Sequence, residues 1–572
     1  MQTAFDNIFV ALALIRELNK NMFRKKILIA VCAVSLGAAA VSLTTVSFFE
    51  VNKNLDVFAS LYKELNTYYV DTLDHESLVR AGVDNMLEQL DPYTNFIPEE
   101  DAEDFRMQTT GKYAGVGALI GNRGEFVIVT EPYEGFPAAK GGLRAGDKVL
   151  EIDGKSARNF KTDDVSKMLK GRPGTEVTVK YSRLNADGTE SENIVKLMRE
   201  EIKIRNVSYY GMVADDIAYI RLSNFTMRAG QEVRNALTAL QNGKKLKGVV
   251  LDVRGNPGGL LDEAINVANT FVGRNQEIVS VRGRSKEDTY VRKTINDPVD
   301  VNIPLVVLTD GNAASASEIV AGSLQDLDRA VVVGQRTFGK GLVQTTKPLP
   351  YSAKVKITTA KYYIPSGRCI QALNYAQRDS TGRVTKVPDS LLTAFKTKAG
   401  RTVYDGAGIE PDIKTEAEKV QNITISLYAR NHIFDYATEY RAKRASIPSG
   451  KEFALTDAEY DAFVKWLSGK DYEYSTRSEK LLEDFKTASS KENYFDAIKT
   501  EFDSLKVKMN TDKKLDLQKQ RKQIKMFLEE EIASRYYLNT GRSEVQCRYD
   551  SDLKRAVEVL NDNNKWREIL KR

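Results

Sequence analysis

The sequence contains few of the residues on which metal sites and histidine-dependent catalysis rely. Its 572 residues include two histidines, His75 and His432, and three cysteines, at positions 32, 369 and 547. The cysteines form no CxxC pair, which excludes a zinc ribbon and a dense disulfide framework. Two isolated histidines exclude an HExxH zinc site, and neither lies near a convincing nucleophile for a Ser-His-Asp triad. We therefore expect no metal and no cofactor, and any catalytic base is expected to be another residue type.

The chain also lacks a strong charge of either sign. It has 84 Lys and Arg against 78 Asp and Glu, so the net charge is +6. The basic stretch Lys513–Lys525 is followed by Glu529, Glu530 and Glu531, which favours a solvated helix face over a nucleic-acid site. We expect no nucleic-acid partner. A hydrophobic content of 42% and a charged content of 28% are ordinary for a globular protein.

One long apolar run lies near the N-terminus. Residues 27–49 carry no charge, and Arg24, Lys25 and Lys26 precede them directly. A helix of this length spans about 30 Å of hydrocarbon, and the positive-inside rule leaves residues 1–26 in the cytoplasm. The sequence thus predicts a transmembrane signal-anchor at 27–49, a single-pass inner-membrane protein and a periplasmic bulk. A cleaved signal peptide is the alternative.

Beyond the apolar run, the first two patterns are helical and then β-rich. Residues 50–106 carry apolar side chains at three- and four-residue spacing, which predicts an N-terminal helical region. Residues 107–200 have short alternating runs, Gly-rich turns and one helix near 162–170. They are predicted to form a small β-module.

The next pattern alternates strands with helices. Residues 217–222 and 248–253 read as strands and 229–241 as a helix, within a block from 201 to 415. Such alternation predicts a mostly parallel sheet with crossover helices and a ligand site at the carboxyl ends of its strands. Residues 416–572 are predicted to be a helical extension. Taken together, these regions predict a multidomain protein of the α+β and α/β classes.

A candidate nucleophile follows the apolar strand 304–308. Small residues surround Ser315, and a helix begins directly after it. Free N–H groups and the positive end of the helix dipole then point to one place, where a serine could attack a carbonyl. Ser315 and Glu318 also have the spacing of a capping box, so a structural role for this serine stays open. Ser317 is assigned to the start of the helix.

A candidate base lies in the segment after the next strand. Lys340 stands between Gly339 and Gly341. A buried Lys loses its proton more easily, because desolvation disfavours its charged form, and a neutral amine can accept the proton of a serine. A surface Lys in a glycine hairpin is the simpler alternative.

These two segments together resemble the C-terminal processing peptidases, the tail-specific serine proteases of family S41. In that family the catalytic Lys follows the Ser by twenty-five residues and a Gln or equivalent follows by four more, as Ser315, Lys340 and Gln344 do. The resemblance implies that Ser315 is the nucleophile, Lys340 the general base and Gln344 the group that orients Lys340. It also implies a crotonase-like or ClpP-like α/β protease core over 201–415. The family often has a serine two residues before the nucleophile, and this sequence has Ala313 at that position.

Further segments are similar to other signatures of this family. The run from Asp252 to Gly259, DVRGNPGG, resembles its glycine loop. By resemblance, a backbone N–H of Gly258 or Gly259 joins that of Ala316 in an oxyanion hole, and the sequence leaves the choice between the two glycines open. Asp91-Pro92-Tyr93-Thr94 and Gly408-Ile409-x-Pro411-Asp412 also look like family signatures.

The β-module at 107–200 resembles a PDZ domain. Consecutive N–H groups freed by glycine can capture a chain-terminal carboxylate, and the peptide then adds as a strand to a sheet edge. The resemblance implies that the carboxylate-binding loop consists of six residues, Tyr113, Ala114, Gly115, Val116, Gly117 and Ala118.

The function expected from these signals is that of a membrane-anchored serine endopeptidase. It would recognise protein C-termini with its PDZ domain and cut with a Ser-Lys dyad. Its partners would be protein or peptide substrates with accessible C-termini and the membrane, through residues 27–49. A homo-oligomer or an adaptor protein stays open. The alternative is a non-catalytic PDZ-containing binding or adaptor protein on a protease-like body.

Overall fold

A computed structural model of the chain describes residues 48–571, apart from the side chains at positions 376, 510–512 and 514. The chain divides into two compact units, with the boundary between Met86 and Leu87. In the first unit, residues 48–68 form a helix, and the helix His75–Glu88 begins there. The ring of Tyr62 meets that of His75 edge-on, with centroids 6.2 Å apart.

The sequence prediction of a membrane protein needs correction. Residues 1–26 and all but the last two positions of the predicted span 27–49 lie outside the described residues. Among residues 48–571, no helix combines the length and the apolar character that crossing a bilayer requires. The long helices Phe495–Lys514 and Arg521–Tyr549 carry many charged side chains, which hydrocarbon disfavours. This finding contradicts the predicted single-pass inner-membrane localisation.

A β-rich module follows in the second unit. Its core contains buried aliphatic side chains such as Val127, Val149 and Val179. Lys112–Gly115 pairs with Glu200–Lys203 as a separate ribbon at the two ends of the module. The module has one six-stranded antiparallel sheet and two helices: Ala118–Arg123, Phe126–Pro132, Lys148–Ile152, Lys155–Ser156, Glu176–Leu184 and Glu190–Met198, with Pro137–Lys140 and Thr162–Leu169.

A second six-stranded sheet lies in the α/β region. Its middle strands are short runs of Val, Leu and Ile, buried on both faces as in parallel sheets generally. All neighbours pair in parallel except the first two, and the order is Val207–Ala214, Ile217–Leu222, Gly248–Asp252, Leu305–Thr309, Val331–Gly334 and Ile413–Lys414. The carboxyl ends of the parallel strands therefore share one edge, where the loops at 253–260, 310–315 and 335–341 begin.

Three helices cover one face of this sheet, namely Ala229–Gln241, Leu261–Ala268 and Ala316–Asp326. A five-stranded antiparallel sheet is also present, and one of its strands begins two residues after Lys340. Its strands are Asn95–Ile97, Glu277–Gly283, Tyr290–Lys293, Leu342–Pro348 and Lys354–Tyr363. Smaller elements of the region are Glu99–Asp101, Ala102–Thr110, Leu373–Arg378, Val384–Lys386, Asp389–Leu391, Ala394–Lys396 and Thr402–Tyr404.

The C-terminal extension is helical throughout its regular structure. An aromatic-rich core that includes Tyr440, Tyr460 and Phe463 holds most of it together. The longest helix bends where Tyr537 and Leu538 leave helical backbone angles. The helices are Asn422–Ala429, His432–Lys443, Asp457–Trp466, Arg477–Lys491, Phe495–Lys514, Asp516–Lys519, Arg521–Tyr549, Ser551–Asn561 and Asn563–Leu570.

The last two helices pack on the other face of the parallel sheet. Leu560 and Trp566 are buried in a cluster with Val250 and Val306 of the sheet. The indole Nε1 of Trp566 donates to the carbonyl of Leu305 at 3.1 Å. A Cβ at Gly248 would lie 2.7 Å from Leu560 Cδ2, so glycine is needed for this close approach. The extension thus supplies a layer of the α/β region.

We expect Leu560→Ala to lower the free energy of unfolding by about 2–5 kcal/mol. The Leu560 side chain is only 1% exposed, so its truncation leaves a cavity in the core. Urea unfolding followed by tryptophan fluorescence measures the change. Leu481→Ala, at an exposed position of the same extension, serves as the control and should change the free energy by less than about 0.5 kcal/mol. Equal effects of the two substitutions would contradict this packing.

Candidate active site

Ser315 lies in a tight turn between the strand Leu305–Thr309 and the helix Ala316–Asp326. The turn is held by Asp310, whose Oδ1 accepts the N–H groups of Asn312 and Ala313 at 3.1 and 2.9 Å. Ser315 is the N-cap residue of the helix, with φ 55° and ψ −112°. Non-glycine residues rarely adopt such angles, and such strain persists only where the surrounding structure imposes it.

Lys340 lies on the next loop, under the turn formed by Asp91, Tyr93 and Thr94. Its Nζ is 4.0 Å from the centroid of the Tyr93 ring. Asp91 shapes that turn, because its Oδ1 accepts the N–H groups of Tyr93 and Thr94 at 2.8 and 2.9 Å. Burial lowers the pKa of Lys340 to about 8, and the positive charge of Lys356 acts in the same direction. The amine is therefore closer to neutrality than an ordinary lysine.

The buried carboxylate of Glu318 joins the two loops. Its Oε2 accepts the N–H of Ser315 at 2.8 Å and that of Lys340 at 2.9 Å. Its Oε1 accepts the hydroxyl of Thr337 at 2.6 Å and the N–H of Gly339 at 2.7 Å. Burial raises the pKa of Glu318 to about 7, against the four hydrogen bonds, which favour the ionised form. The backbone around Ser315 and the backbone around Lys340 are therefore fixed by one side chain.

Tyr362 makes a second link between the same loops. It is buried, and its hydroxyl donates to the carbonyl of Lys340 and lies 3.1 Å from that of Ser315. Burial raises the pKa of this phenol well above its ordinary value, so it remains a neutral donor. Both loops are thus held through N–H groups by Glu318 and through carbonyl groups by Tyr362.

The glycine loop approaches Ser315 from the other side. Asn256 is buried and anchors the loop. Its side-chain Nδ2 donates to the carbonyl of Leu222 at 2.8 Å, and its backbone carbonyl accepts the N–H of Ala314 at 3.0 Å. The hydroxyl of Ser317 also donates to Asn256 O at 2.9 Å, in agreement with a structural role for Ser317. A Cβ at Gly258 would lie 2.8 Å from Ser315 Cβ, so the loop requires glycine there.

The two candidate glycines differ in their hydrogen bonds. The N–H of Gly258 donates to Asn256 Oδ1 at 2.9 Å. Within residues 48–571, the N–H groups of Gly259 and Ala316 have no hydrogen-bond acceptor. Ala316 is the first residue of its helix, where backbone N–H groups lack an intrahelical partner.

The cleft formed by these loops has a volume of about 600 Å³. Gln344 lies in it, but its amide donates to Thr358 Oγ1 at 3.2 Å and makes no hydrogen bond to Lys340 among the described side chains. All six residues predicted for catalysis and the oxyanion hole line this one cleft: Ser315, Lys340, Gln344, Gly258, Gly259 and Ala316.

The predicted carboxylate-binding loop lines a separate groove of about 250 Å³. The groove runs between the edge strand Ala118–Arg123 and the helix Thr162–Leu169. Ala114, which pairs with Glu201 in the two-stranded ribbon, does not line the groove. The other five loop residues do: Tyr113, Gly115, Val116, Gly117 and Ala118.

Several residues of this site have no role that their sequence context predicts. The capping-box spacing indicates Glu318, but no pattern in the sequence indicates its hydrogen bonds to Thr337 and Gly339. Tyr93 stood in a family signature without a role. Nothing in the alternating polar run around Tyr362 marks that residue, because its partners come from distant segments.

We expect Glu318→Gln to destabilise the protein by at least about 2 kcal/mol, because an amide accepts through one oxygen and leaves buried N–H donors unpaired. Hydrolysis by this variant should fall as both loops shift. Urea unfolding and cleavage of a peptide substrate measure the two effects. Glu287→Gln, at an exposed loop position, should change neither. A stable and fully active Glu318→Gln protein would show that the carboxylate is dispensable.

Three family profiles match the chain. Peptidase family S41 matches residues 216–377, a PDZ domain matches 128–183, and "Probable PDZ-protease, C-terminal helical domain" matches 423–560. These matches lie on the α/β region, the β-module and the helical extension, respectively.

Curated relatives agree with these matches. A carboxy-terminal-processing protease of Bartonella bacilliformis is 37% identical over 357 residues, which cover 61% of this chain and 81% of that protein. A "Probable CtpA-like serine protease" of Staphylococcus aureus is 32% identical over 394 residues, covering 67% and 74% of the two chains. Among solved structures, a photosystem II D1 C-terminal processing protease is 26% identical, with a TM-score of 0.32 and coverage of 63% and 92%. The family resemblance noted in the sequence is confirmed, and the chain belongs to peptidase family S41 as a carboxy-terminal-processing serine protease with a PDZ domain.

Proposed function

We propose that this peptidase cuts with a Ser315–Lys340 dyad and selects substrates by their C-termini. The observation that carries the proposal is the shared cleft, in which Ser315, Lys340 and the unpaired N–H of Ala316 lie together. Neutral Lys340 removes the proton of Ser315 as Oγ attacks the scissile carbonyl. The developing oxyanion is bound by the N–H groups of Ala316 and Gly259. The protonated Lys340 then gives its proton to the leaving amine, and water releases the acyl group.

Gln344 has an indirect role in this proposal. Its amide contacts Thr358, whose N–H donates to Thr94 Oγ1 at 3.2 Å. Thr94 in turn donates to Asp91 Oδ2 at 3.1 Å. Gln344 therefore supports the turn that carries Tyr93, and this turn positions the amine of Lys340.

Substrate selection is assigned to the groove of the PDZ domain. The N–H groups of the loop 115–118 bind the terminal carboxylate, and the tail pairs with the strand Ala118–Arg123, which is an edge of its sheet. In this proposal residues 107–200 are the PDZ domain, 201–415 a crotonase-like or ClpP-like protease core and 416–572 the extension. Residues 50–106 are a mostly helical region that includes the strand Asn95–Ile97. A homo-oligomer or an adaptor remains a prediction of the sequence.

We expect Ser315→Ala and Lys340→Ala each to abolish cleavage of a loosely folded reporter with an apolar C-terminal tail. A reporter with a charged tail should be cut more slowly by the unmutated protein. The assay follows reporter loss on a gel, and circular dichroism checks that the variants remain folded. Cleavage by purified Ser315→Ala protein would contradict the assignment of Ser315 and Lys340 as the catalytic dyad. If the chain is a binding protein without activity, the unmutated protein and both variants should bind the C-terminal tail of the reporter, and none of them should cleave it.

The same assay tests the groove. Ser166 lines it from the helix Thr162–Leu169, whereas Lys167 is exposed and does not. Ser166→Trp should fill the groove, weaken binding of a tail peptide at least about tenfold and remove the preference for the apolar tail. Lys167→Trp is the matched control. Unchanged tail preference in Ser166→Trp would place substrate selection elsewhere.

We expect kcat/KM to rise with pH around a midpoint near 8, because burial lowers the pKa of Lys340 to about 8 and only the neutral amine accepts the serine proton. Activity is therefore lost as the pH falls below that value. Lys356→Met removes a like charge, so it should raise the pKa of Lys340 and move the midpoint to higher pH by roughly half a unit. Lys347→Met, at an exposed position on a neighbouring strand, is the control. A midpoint that shifts to lower pH in Lys356→Met would argue against Lys340 as the base.

A further inference from the structure

Arg254 of the glycine loop is surrounded by three carboxylates. Its Nε and Nη2 contact the two oxygens of Asp252 at 3.0 and 2.6 Å. Its Nη1 lies 3.1 Å from Asp550 Oδ1 and 3.1 Å from Asp552 Oδ2, and its Nη2 also contacts Asp550. We call these four residues the Arg254 clamp. Asp252 belongs to the strand before the loop, whereas Asp550 and Asp552 come from the C-terminal extension, almost 300 residues later.

The clamp reaches a loop that needs external support. Gly255, Gly258 and Gly259 all have positive φ values, 69°, 98° and 154°. Glycines restrict the backbone least, so such a loop keeps one shape only when its neighbours hold it. Asn256 holds the loop from the core, and Asp310 accepts the N–H of Gly255 at 2.9 Å. The clamp fixes Arg254, the residue directly before Gly255.

The two extension residues also bind elsewhere. Asp550 caps the helix Ser551–Asn561 by accepting the N–H of Leu553 at 2.9 Å. Asp552 lies 3.4 Å from the amide of Gln335, which stands at the start of the loop that carries Lys340. The extension therefore contacts the beginnings of two of the three loops that form the cleft.

Stability alone does not account for this arrangement. Buried ion pairs often contribute little to stability, because desolvation offsets their attraction. One oxygen of Asp552 is buried and has no hydrogen-bond partner among the described residues, which is itself unfavourable. What the clamp does provide is a fixed position for a guanidinium with five donors in a rigid plane.

We propose that Asp550 and Asp552 are positioning residues for the reaction, which hold the oxyanion-binding segment of the glycine loop in place through Arg254. This inference rests on the proposed dyad and oxyanion hole. It assigns the C-terminal extension a part in the chemical step and not only in covering the sheet. The extension touches no substrate atom in this role, because Arg254 transmits its effect.

The test compares Asp550→Asn, Asp552→Asn and their combination with Asp484→Asn, an exposed residue of the same extension. Asparagine keeps a cap acceptor for Leu553 and removes the charge that binds Arg254. Four quantities are measured on the purified full chain: kcat, KM, the affinity for a peptide boronate and the unfolding midpoint. The boronate adduct of Ser315 places an oxygen in the oxyanion hole, so its affinity reports on the loop directly.

We expect the double variant to lose about 10- to 100-fold in kcat and a similar factor in boronate affinity, as small displacements of oxyanion donors do. KM should stay within about twofold, since ground-state binding does not use this segment. Arg254→Lys should reproduce the loss, because it retains the charge without the planar donors. Asp484→Asn should behave like the unmutated protein.

Two results would overturn the inference. One is unchanged kcat and boronate affinity in both single variants and in Arg254→Lys. The other is a loss of activity that follows the unfolding midpoint in every variant, which would make the clamp purely structural. Ser315→Ala is run in parallel: if it still cleaves, the proposed dyad fails, whereas an inactive Ser315→Ala with active clamp variants rejects the positioning role alone.

Discussion

The arrangement of the cleft depends on one buried carboxylate, that of Glu318. Four donors meet its two oxygens, and they come from the Ser315 turn and from the loop between Thr337 and Lys340. A protonated carboxyl would have to donate in a place where only donors approach it, so the geometry suits the ionised form although burial raises its pKa to about 7. The strained backbone of Ser315 is held because the N–H of that residue is one of the four donors.

The remaining contacts follow from where the loops begin. Neighbouring parallel strands end at one edge of the sheet, which brings the glycine loop, the Ser315 turn and the Lys340 loop together. Short polar links then fix the distances between them. Asn256 and Asp310 join the first loop to the second, and Glu318 joins the second to the third. Asn256 and Glu318 are buried, so salt should screen their links little.

Local patterns in the sequence predicted the central strands and helices well. The strand at 217–222 and the helix at 229–241 have the predicted bounds, because each is a periodic run with its own turn signals. The helix after the glycine loop, Leu261–Ala268, is followed by Asn269, whose side-chain amide donates to the carbonyls of Val272 and Asn296. The resemblance to family S41 identified Ser315 and Lys340 as candidate catalytic residues by their spacing, and both line one cleft.

Non-local pairing is what the sequence could not show. Asn95–Ile97 lay in a region expected to be helical, yet it pairs with Lys354–Lys356, more than 250 residues away. The partner strand is rich in Lys and Thr and gives no buried-strand signal. The same limit applies to Tyr362, which lies on that strand and reaches the carbonyls of Ser315 and Lys340.

The extension shows how packing can decide what a segment contributes. Its sequence indicates helices only, and nothing in its composition separates a lid from a structural layer. A parallel sheet must be covered on both faces, and Ala229–Gln241, Leu261–Ala268 and Ala316–Asp326 cover one face. Leu560 and Trp566 bury the other, at a site where Gly248 leaves room for a close approach. Because the segment that carries Asp550 and Asp552 is anchored in this way, it presents a rigid surface to Arg254, which a mobile tail could not do.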